Sequence, residues 1–177
     1  MNYANIKYCD IANGEGVRTT LFVSGCRHYC KDCFNQVAWS FDHGSLFDRS
    51  VEDKIIGSLK PTYISGLTLL GGEPMEKENQ EALLPFLKRV RWECPNKTIW
   101  LFSGFTFEEL IGAVDSRAFS DNAIELLKLC DILVDGKFVA DEKDITLQFR
   151  GSRNQRVIDL PKTFAHGEVV VWEKLKK

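Results

Sequence analysis

The chain has 177 residues, 44% of them hydrophobic and 27% charged, which is the length of one domain with ample apolar side chain for a single core. Its 23 basic and 25 acidic side chains leave a formal net charge of -2, which excludes the overall basic field that draws proteins onto nucleic acid or anionic membranes. No charged, apolar and small-residue series opens the sequence and no apolar run is long enough to span a bilayer, so the expectation is a cytoplasmic protein that is neither secreted nor membrane-inserted.

In chain order, residues 1–17 read as a polar lead, turn-rich at Asp10-Ile11-Ala12-Asn13-Gly14-Glu15-Gly16, running into a first strand at Thr19-Thr20-Leu21-Phe22-Val23. That strand ends in Ser24-Gly25 and the segment Cys26 to Asn35, after which Gln36 to Ser40 extend a short helix broken by Phe41-Asp42-His43-Gly44-Ser45. Ser50 reads as the cap of a helix carrying Val51, Ile55, Ile56 and Leu59 at helical spacing and closed by Pro61. Gly66-Leu67-Thr68-Leu69-Leu70 is a second strand ending in Gly71-Gly72-Glu73-Pro74. Residues 78–93 have a helical period, with Pro85 expected to mark an irregularity or restart rather than an interior position.

Thr98-Ile99-Trp100-Leu101-Phe102 is a third strand ending at Ser103-Gly104, and Thr106 caps Phe107-Glu108-Glu109-Leu110-Ile111. Residues 122–129 form a further helix carrying Ile124, Leu127 and Leu129, followed by a fourth strand, Asp131-Ile132-Leu133-Val134, that runs into Asp135-Gly136-Lys137-Phe138. The last quarter is less regular, with a basic turn at residues 149–156, the apolar run Val157 to Leu160, and Val169 to Trp172 as a segment that pairs at a sheet edge. Alternation of short apolar strands with amphipathic helices predicts βαβ units, a parallel sheet, and strand-end loops gathered on one rim.

Those loops carry the chemistry. Cys26, Cys30 and Cys33 fall within eight residues at C-x3-C-x2-C spacing, and in a reducing compartment so tight a set points to metal ligation rather than disulfides. Iron–sulfur clusters usually take four thiolates, so three point to a cubane with one iron unclaimed by protein and open to a substrate. A Cys3His zinc site, with His28 or His43 as the fourth ligand, draws on the same thiolates, and the loop alone leaves both readings open. Cys9, Cys94 and Cys130 are scattered and are read as non-ligands.

In the second loop, Gly71 and Gly72 allow backbone to approach a ligand closely, with edge amides and carbonyls free to hold an ammonium group. Asp135 and Lys137 are two apart, so both face one way if the strand continues through Gly136, an acid and a base suited to a zwitterion. Ser103 offers a hydroxyl from the neighbouring strand end. Arg150, Arg153 and Arg156 lack interleaved aromatics and are read as a solvated loop or docking surface in preference to a phosphate patch.

Taken together, the cysteine loop with Phe34-Asn35, the Gly71-Gly72-Glu73-Pro74 turn, Val134-Asp135-Gly136-Lys137-Phe138 and Arg150-Gly151-Ser152-Arg153-Asn154-Gln155 resemble a radical S-adenosylmethionine enzyme. More narrowly, residues 5–159 resemble the activating proteins of anaerobic (class III) ribonucleoside-triphosphate reductases. The resemblance implies an α/β fold, an incomplete parallel (βα)6-type barrel open to a partner, with residues 1–177 one domain and 160–177 an extension without catalytic role. It implies a [4Fe-4S] cluster on Cys26, Cys30 and Cys33, with the fourth iron chelated by the amino and carboxylate groups of S-adenosylmethionine. Asp32, Cys33, Phe34, Gly71 and Gly72 would lie against that cofactor, with Ser103, Asp135 and Lys137 as further contacts.

The implied activity is reductive cleavage of S-adenosylmethionine to a 5′-deoxyadenosyl radical that takes hydrogen from a glycine of the reductase. No general base is required, and the electron would come from a low-potential donor such as reduced flavodoxin or ferredoxin. Another glycyl-radical enzyme, such as pyruvate formate-lyase, is the alternative target, and a zinc-stabilised binding module is the alternative of another class.

Overall fold

A computed structural model describes residues 1–175. Seven strands form one open sheet: β1 (Asn2–Asp10), β2 (Val17–Val23), β3 (Ser45–Leu46), β4 (Ile64–Gly71), β5 (Thr98–Phe102), β6 (Ile132–Asp135) and β7 (Arg156–Asp159). Their spatial order is β3-β1-β2-β4-β5-β6-β7. The central pairs β2/β4, β4/β5 and β5/β6 are parallel, whereas β1, β3 and β7 pair antiparallel at the flanks. The α/β class is thus present, but four strands rather than six run parallel, and the sheet is not closed.

The alternation along each strand divides the sheet into two faces. Leu21 and Val23 of β2, Leu67 and Leu69 of β4, Ile99 and Leu101 of β5, Leu133 of β6 and Ile158 of β7 enter the larger core. There they meet α1 (Arg49–Leu59), α2 (Lys77–Glu93), α3 (Phe107–Leu110), α4 (Asp121–Leu129) and α5 (Leu160–His166) through Ile55, Leu83, Phe86, Leu127 and Leu160 among others. The intervening residues Trp100, Ile132, Val134 and Val157 form a second cluster with Trp172, against which Phe102 and Phe149 pack. Trp172 stands edge-on to Trp100 at 5.1 Å, so the C-terminal segment covers part of the face that carries no helix.

Arg18 completes that floor. It is fully buried and donates to Thr68 Oγ1, the Glu15 carbonyl, Thr98 Oγ1 and the carbonyls of Leu67 and Thr98, with its guanidinium 5.5 Å from the Trp100 ring. All these acceptors are neutral, and burial lowers its pKa to about 10.

Several sequence expectations need correction. Asn2–Asp10 is a full strand rather than a polar lead, because it pairs with β2 in a register that includes Ile6 with Leu21 and Lys7 with Thr20. Helix α1 is capped by Asp48, whose carboxylate accepts from the Val51 amide, and not by Ser50. Pro85 does lie inside α2. It sits on the solvent face, while Leu83, Leu84, Phe86 and Leu87 on either side are buried and hold both halves of the helix against the sheet. In α4 the buried residues are Ala123, Leu126 and Leu127, with Ile124 and Leu129 only half-buried.

The segment from residue 160 carries structure of its own. Pro161 at the first turn starts α5, and Val171 bridges Ile158 at the sheet edge, as its apolar run predicts. The last residues of that segment, 176 and 177, lie outside the described ones.

Candidate active site

The parallel centre of the sheet brings four C-terminal strand ends to one rim: β2 feeds the cysteine loop, β4 feeds Gly72-Glu73-Pro74, β5 feeds Ser103-Gly104 and β6 feeds Gly136-Lys137. A cavity of 480 Å³ opens there on the helix-free face, within the usual range of roughly 300–1,000 Å³ for a small-molecule site. Leu70, Phe102 and Val134 line it from the sheet, Lys143, Asp144, Ile145, Leu147 and residues 149–151 from the segment after β6, and Cys26, Cys30 and Cys33 all line it.

The cysteine loop is shaped by left-handed backbone at Gly25 (φ 95°), Tyr29 (φ 49°) and Asp32 (φ 58°). It is anchored by the amides of Gly25 and Cys26, which donate to the carbonyls of Ala38 and Trp39 at 2.8 and 3.0 Å. The loop also leans on the second motif, since the amides of Gly72 and Glu73 donate to the carbonyls of Val23 and Gly25. A Cβ at Gly72 would stand 2.6 Å from the Gly25 carbonyl oxygen and 2.8 Å from that of Ala38. Gly71 has φ 120°, and its Cβ would meet Val23 N at 2.5 Å. The two glycines line the cavity, but what demands their missing side chains is packing: of β4 against β2 at Gly71, and of loop on loop at Gly72.

Glu73 ties these loops together. Its side chain is buried, Oε1 accepting from Met75 N at 2.9 Å and Ser103 Oγ at 2.8 Å, and Oε2 accepting from Gly104 N at 2.7 Å. His28 Nε2 lies 3.0 Å from Oε2, and its ring packs on Phe105. Three strand-end loops therefore converge on one carboxylate. Behind them Glu76, also buried, accepts from the Arg27 amide, the Arg27 guanidinium and the Arg117 guanidinium. Burial pushes the Glu76 pKa up, but Arg117 and the Arg27 contacts outweigh it and hold the carboxyl below its usual range.

The other sequence-derived candidates divide into those the cavity brings together and those it does not. Asp32 and Phe34 line the mouth, Phe34 being 83% exposed, and Ser103 lines the wall with its hydroxyl bound to Glu73. Asp135 and Lys137 do not share a face: β6 ends at Asp135, and Gly136 turns the chain with φ 101°. The buried Asp135 carboxylate accepts from Phe107 N and from Arg156, outside the cavity lining. Lys137 is exposed, yet its charge opposes the upward shift that burial imposes on the Cys30 pKa. His28 is engaged by Glu73, and His43 is not among the cavity residues.

The arginines likewise separate. Arg156 pairs with Glu108 and Asp135, Arg153 with Asp144, and Arg150 alone of the three lines the cavity. Two lining residues, Trp39 and Arg150, carry buried nitrogens without a protein partner, Nε1 and Nε respectively. The sequence carried no local signal for either, nor for Glu73 as a hub, since each role depends on loops far apart in the chain.

This donor set fits an iron–sulfur cluster. Three soft sulfur ligands line one cavity, the donor chemistry such a cluster takes, although among the described residues no three His, Cys, Asp or Glu side chains are drawn together closely enough to hold a single metal ion. Burial pushes the Cys26 thiol up to about 12, so metal binding must supply the energy to deprotonate it.

A family model described as a 4Fe-4S single cluster domain matches residues 12–158. Among curated proteins, the anaerobic ribonucleoside-triphosphate reductase-activating protein of Haemophilus influenzae is 48% identical over 157 residues, covering 88% of this chain and 96% of its own. The proteins of the same name from Vibrio cholerae and Escherichia coli K12 are 46% and 42% identical, covering 88% and 89% of this chain and 96% and 97% of theirs. The chain belongs to this family of activating proteins. The resemblance drawn from the four motifs is thereby borne out, and this activating protein is a [4Fe-4S] protein of the radical S-adenosylmethionine kind. No helix among its described residues is long and apolar enough to cross a membrane.

Proposed function

We propose that this protein cleaves S-adenosylmethionine reductively and uses the product to generate a glycyl radical on an anaerobic ribonucleoside-triphosphate reductase. The observation that carries the reading is the convergence of three cysteines, and among the described residues no fourth, on a cavity of small-molecule size. When bound, the cluster supplies the electron that breaks the sulfonium carbon–sulfur bond and an iron to which the methionine end can chelate.

The chain's own part is to position and to shield. Cys26, Cys30 and Cys33 would hold the cluster, Gly72 lets the cysteine loop pack against its backbone, and Gly71 lets the end of β4 close on β2. Arg150 brings a positive charge to the cavity lining while its Nη1 donates to the Gln155 carbonyl, and Ser103 adds a fixed hydroxyl. Asp32 and Phe34 border the mouth, where Phe34 is free to pack on an adenine ring. Lys137 acts by its charge near Cys30, and Asp135 by fixing the Phe107 amide rather than by touching cofactor. Leu70, Phe102 and Val134 exclude water from the sheet side of the cavity.

The open sheet is read as a reduced form of the partial parallel barrel, with residues 1–177 one catalytic unit. The segment from residue 160 onward closes the floor through Trp172 and takes no part in chemistry. The partner is the reductase, the electron source a low-potential donor such as flavodoxin or ferredoxin, and the setting the cytoplasm.

The test is to mix the reduced, cluster-loaded protein with the anaerobic reductase and S-adenosylmethionine and record glycyl radical by electron paramagnetic resonance. A radical signal that requires all three components is expected. Its appearance with pyruvate formate-lyase but not with the reductase would overturn the assignment of target.

A further inference from the structure

After Asp135 the chain leaves β6 through a turn whose peptide units are gripped from a distant segment. Gln155 Nε2 donates to the Gly136 carbonyl at 2.9 Å, Asn154 Nδ2 donates to the Lys137 carbonyl at 2.8 Å, and Ser152 Oγ accepts the Val139 amide at 3.2 Å. Three successive peptide units, 136–137, 137–138 and 138–139, are thus each held by one side chain of Ser152-Arg153-Asn154-Gln155. The grips are themselves fixed. Gln155 Oε1 accepts the amides of Gly151 and Ser152 at 2.8 and 3.1 Å, and the hydroxyl of the fully buried Ser152 donates to Asn154 Oδ1 at 2.7 Å. The Phe138 ring lies over Gly151, where a Cβ would stand 3.1 Å from Cδ2.

Holding a carbonyl also aims an amide. Across a trans peptide unit the N–H points opposite to the C=O, so Asn154, by taking the Lys137 carbonyl, turns the Phe138 amide to the far side of the turn. On that far side is the cysteine loop: the Phe138 amide hydrogen-bonds the Cys30 sulfur, and the Lys137 charge acts on the same sulfur. Gly136, Phe138 and Gln155 line the cavity together with Cys30. The other two cysteines are served locally, Cys33 by the Asn35 amide at 3.5 Å and Cys26 by the amide of His28. Cys30 therefore differs in drawing a donor from the loop after β6, and that donor is oriented by residues 152–155.

We propose that Asn154 and Gln155, with Ser152, are positioning residues for the cluster: they hold the Phe138 amide on the Cys30 sulfur and thereby keep the reduction potential of the cluster higher than it would be without that bond. The proposal rests on the cluster reading above. A donor to ligand sulfur favours the more electron-rich, reduced cluster, and hydrogen bonds to the sulfurs are one of the variables through which a protein sets cluster potential. The side-chain amides of the stretch, rather than its arginines, carry this role.

The experiment is pulsed electron paramagnetic resonance on the reduced, reconstituted protein without S-adenosylmethionine, grown with ¹⁵N-phenylalanine, together with a redox titration of the cluster. Phe138→Leu, labelled in the same way, keeps an amide at position 138 but removes its ¹⁵N, so the difference from wild type isolates the coupling of that one nitrogen. The test variant carries both Asn154→Ala and Gln155→Met, which release two of the three grips without adding charge. Expected are a ¹⁵N coupling from position 138 in the wild type, its loss in the double variant at unchanged iron and sulfide per chain, and a midpoint shifted to more negative potential in that variant.

A wild type without a coupling from position 138 overturns the proposal. So does a fully loaded double variant that keeps either the coupling or the wild-type midpoint. Should the double variant fail to assemble, Asn154→Ala alone, at an exposed position, is measured by the same two readouts and judged by the same outcomes. A wild type that takes up no cluster would instead defeat the activase reading, so the two failures are distinct.

Discussion

Replacing Glu73 by Gln perturbs the hub of the rim at constant size. The carboxylate accepts from Met75 N and Ser103 Oγ on one oxygen, and from Gly104 N with His28 Nε2 beside it on the other. An amide turns one of those oxygens into a donor. The less costly orientation puts NH2 toward His28, whose imidazole can accept in the appropriate tautomer, but it leaves the Gly104 amide facing a donor. One buried amide without an acceptor costs about 1–3 kcal/mol, centred near 2 kcal/mol. For a chain of this length that is a fall in Tm of about 4–8 °C. Anaerobic thermal unfolding by circular dichroism, with iron content measured in parallel, reads the effect. A Glu73→Gln protein with Tm within about 1 °C of wild type and full iron would refute the hub, since an orphaned amide cannot be that cheap.

Gly72→Ala should fail to retain iron, because its Cβ meets the carbonyl oxygens of Gly25 and Ala38 at 2.6 and 2.8 Å and must displace the cysteine loop; iron analysis after anaerobic reconstitution checks this. Gly57→Ala is the converse, an exposed position in α1 with nothing within 4 Å of the new Cβ, and should stabilise by about 0.5–1 kcal/mol in urea denaturation. Glu76 has a folded-state pKa below its unfolded value of 4.5, so its contribution is fully present above that pH and is lost as pH falls through the lowered folded value. Denaturation midpoints measured across the acid range should therefore fall less steeply in Glu76→Gln than in wild type, and parallel acid limbs would contradict the sign of the shift.

The strand ends and the ligand loop were legible because their signals are local. β5 alternates Ile99 and Leu101 with Trp100 and Phe102 and stops at Ser103-Gly104, so its bounds follow from five residues. β1 has no such signal: only Asp10 of its nine residues is buried, and the strand exists because β2 offers it an edge. Ser50 and Asp48 are both good caps, and the choice between them depends on where the chain leaves β3 and Phe47 packs on Phe86. Asp135 and Lys137 were placed on one face by assuming that a strand passes through Gly136, and a single positive φ at that glycine separates them. Glu73 stood in a motif that was read for its glycines, while its four partners lie up to 45 residues away and could be seen only once the loops were assembled. The same distance in sequence hid Trp39 and Arg150 as orphaned donors.

The central claim is that three cysteines hold a cluster whose remaining iron is left for S-adenosylmethionine. It is tested most directly by dithionite-driven cleavage in anaerobically reconstituted protein, comparing wild type with Cys30→Ala and Cys94→Ala. The account predicts methionine and 5′-deoxyadenosine in equal amounts from wild type and Cys94→Ala, and neither from Cys30→Ala. Normal yield from Cys30→Ala, or loss of iron from Cys94→Ala, would contradict it.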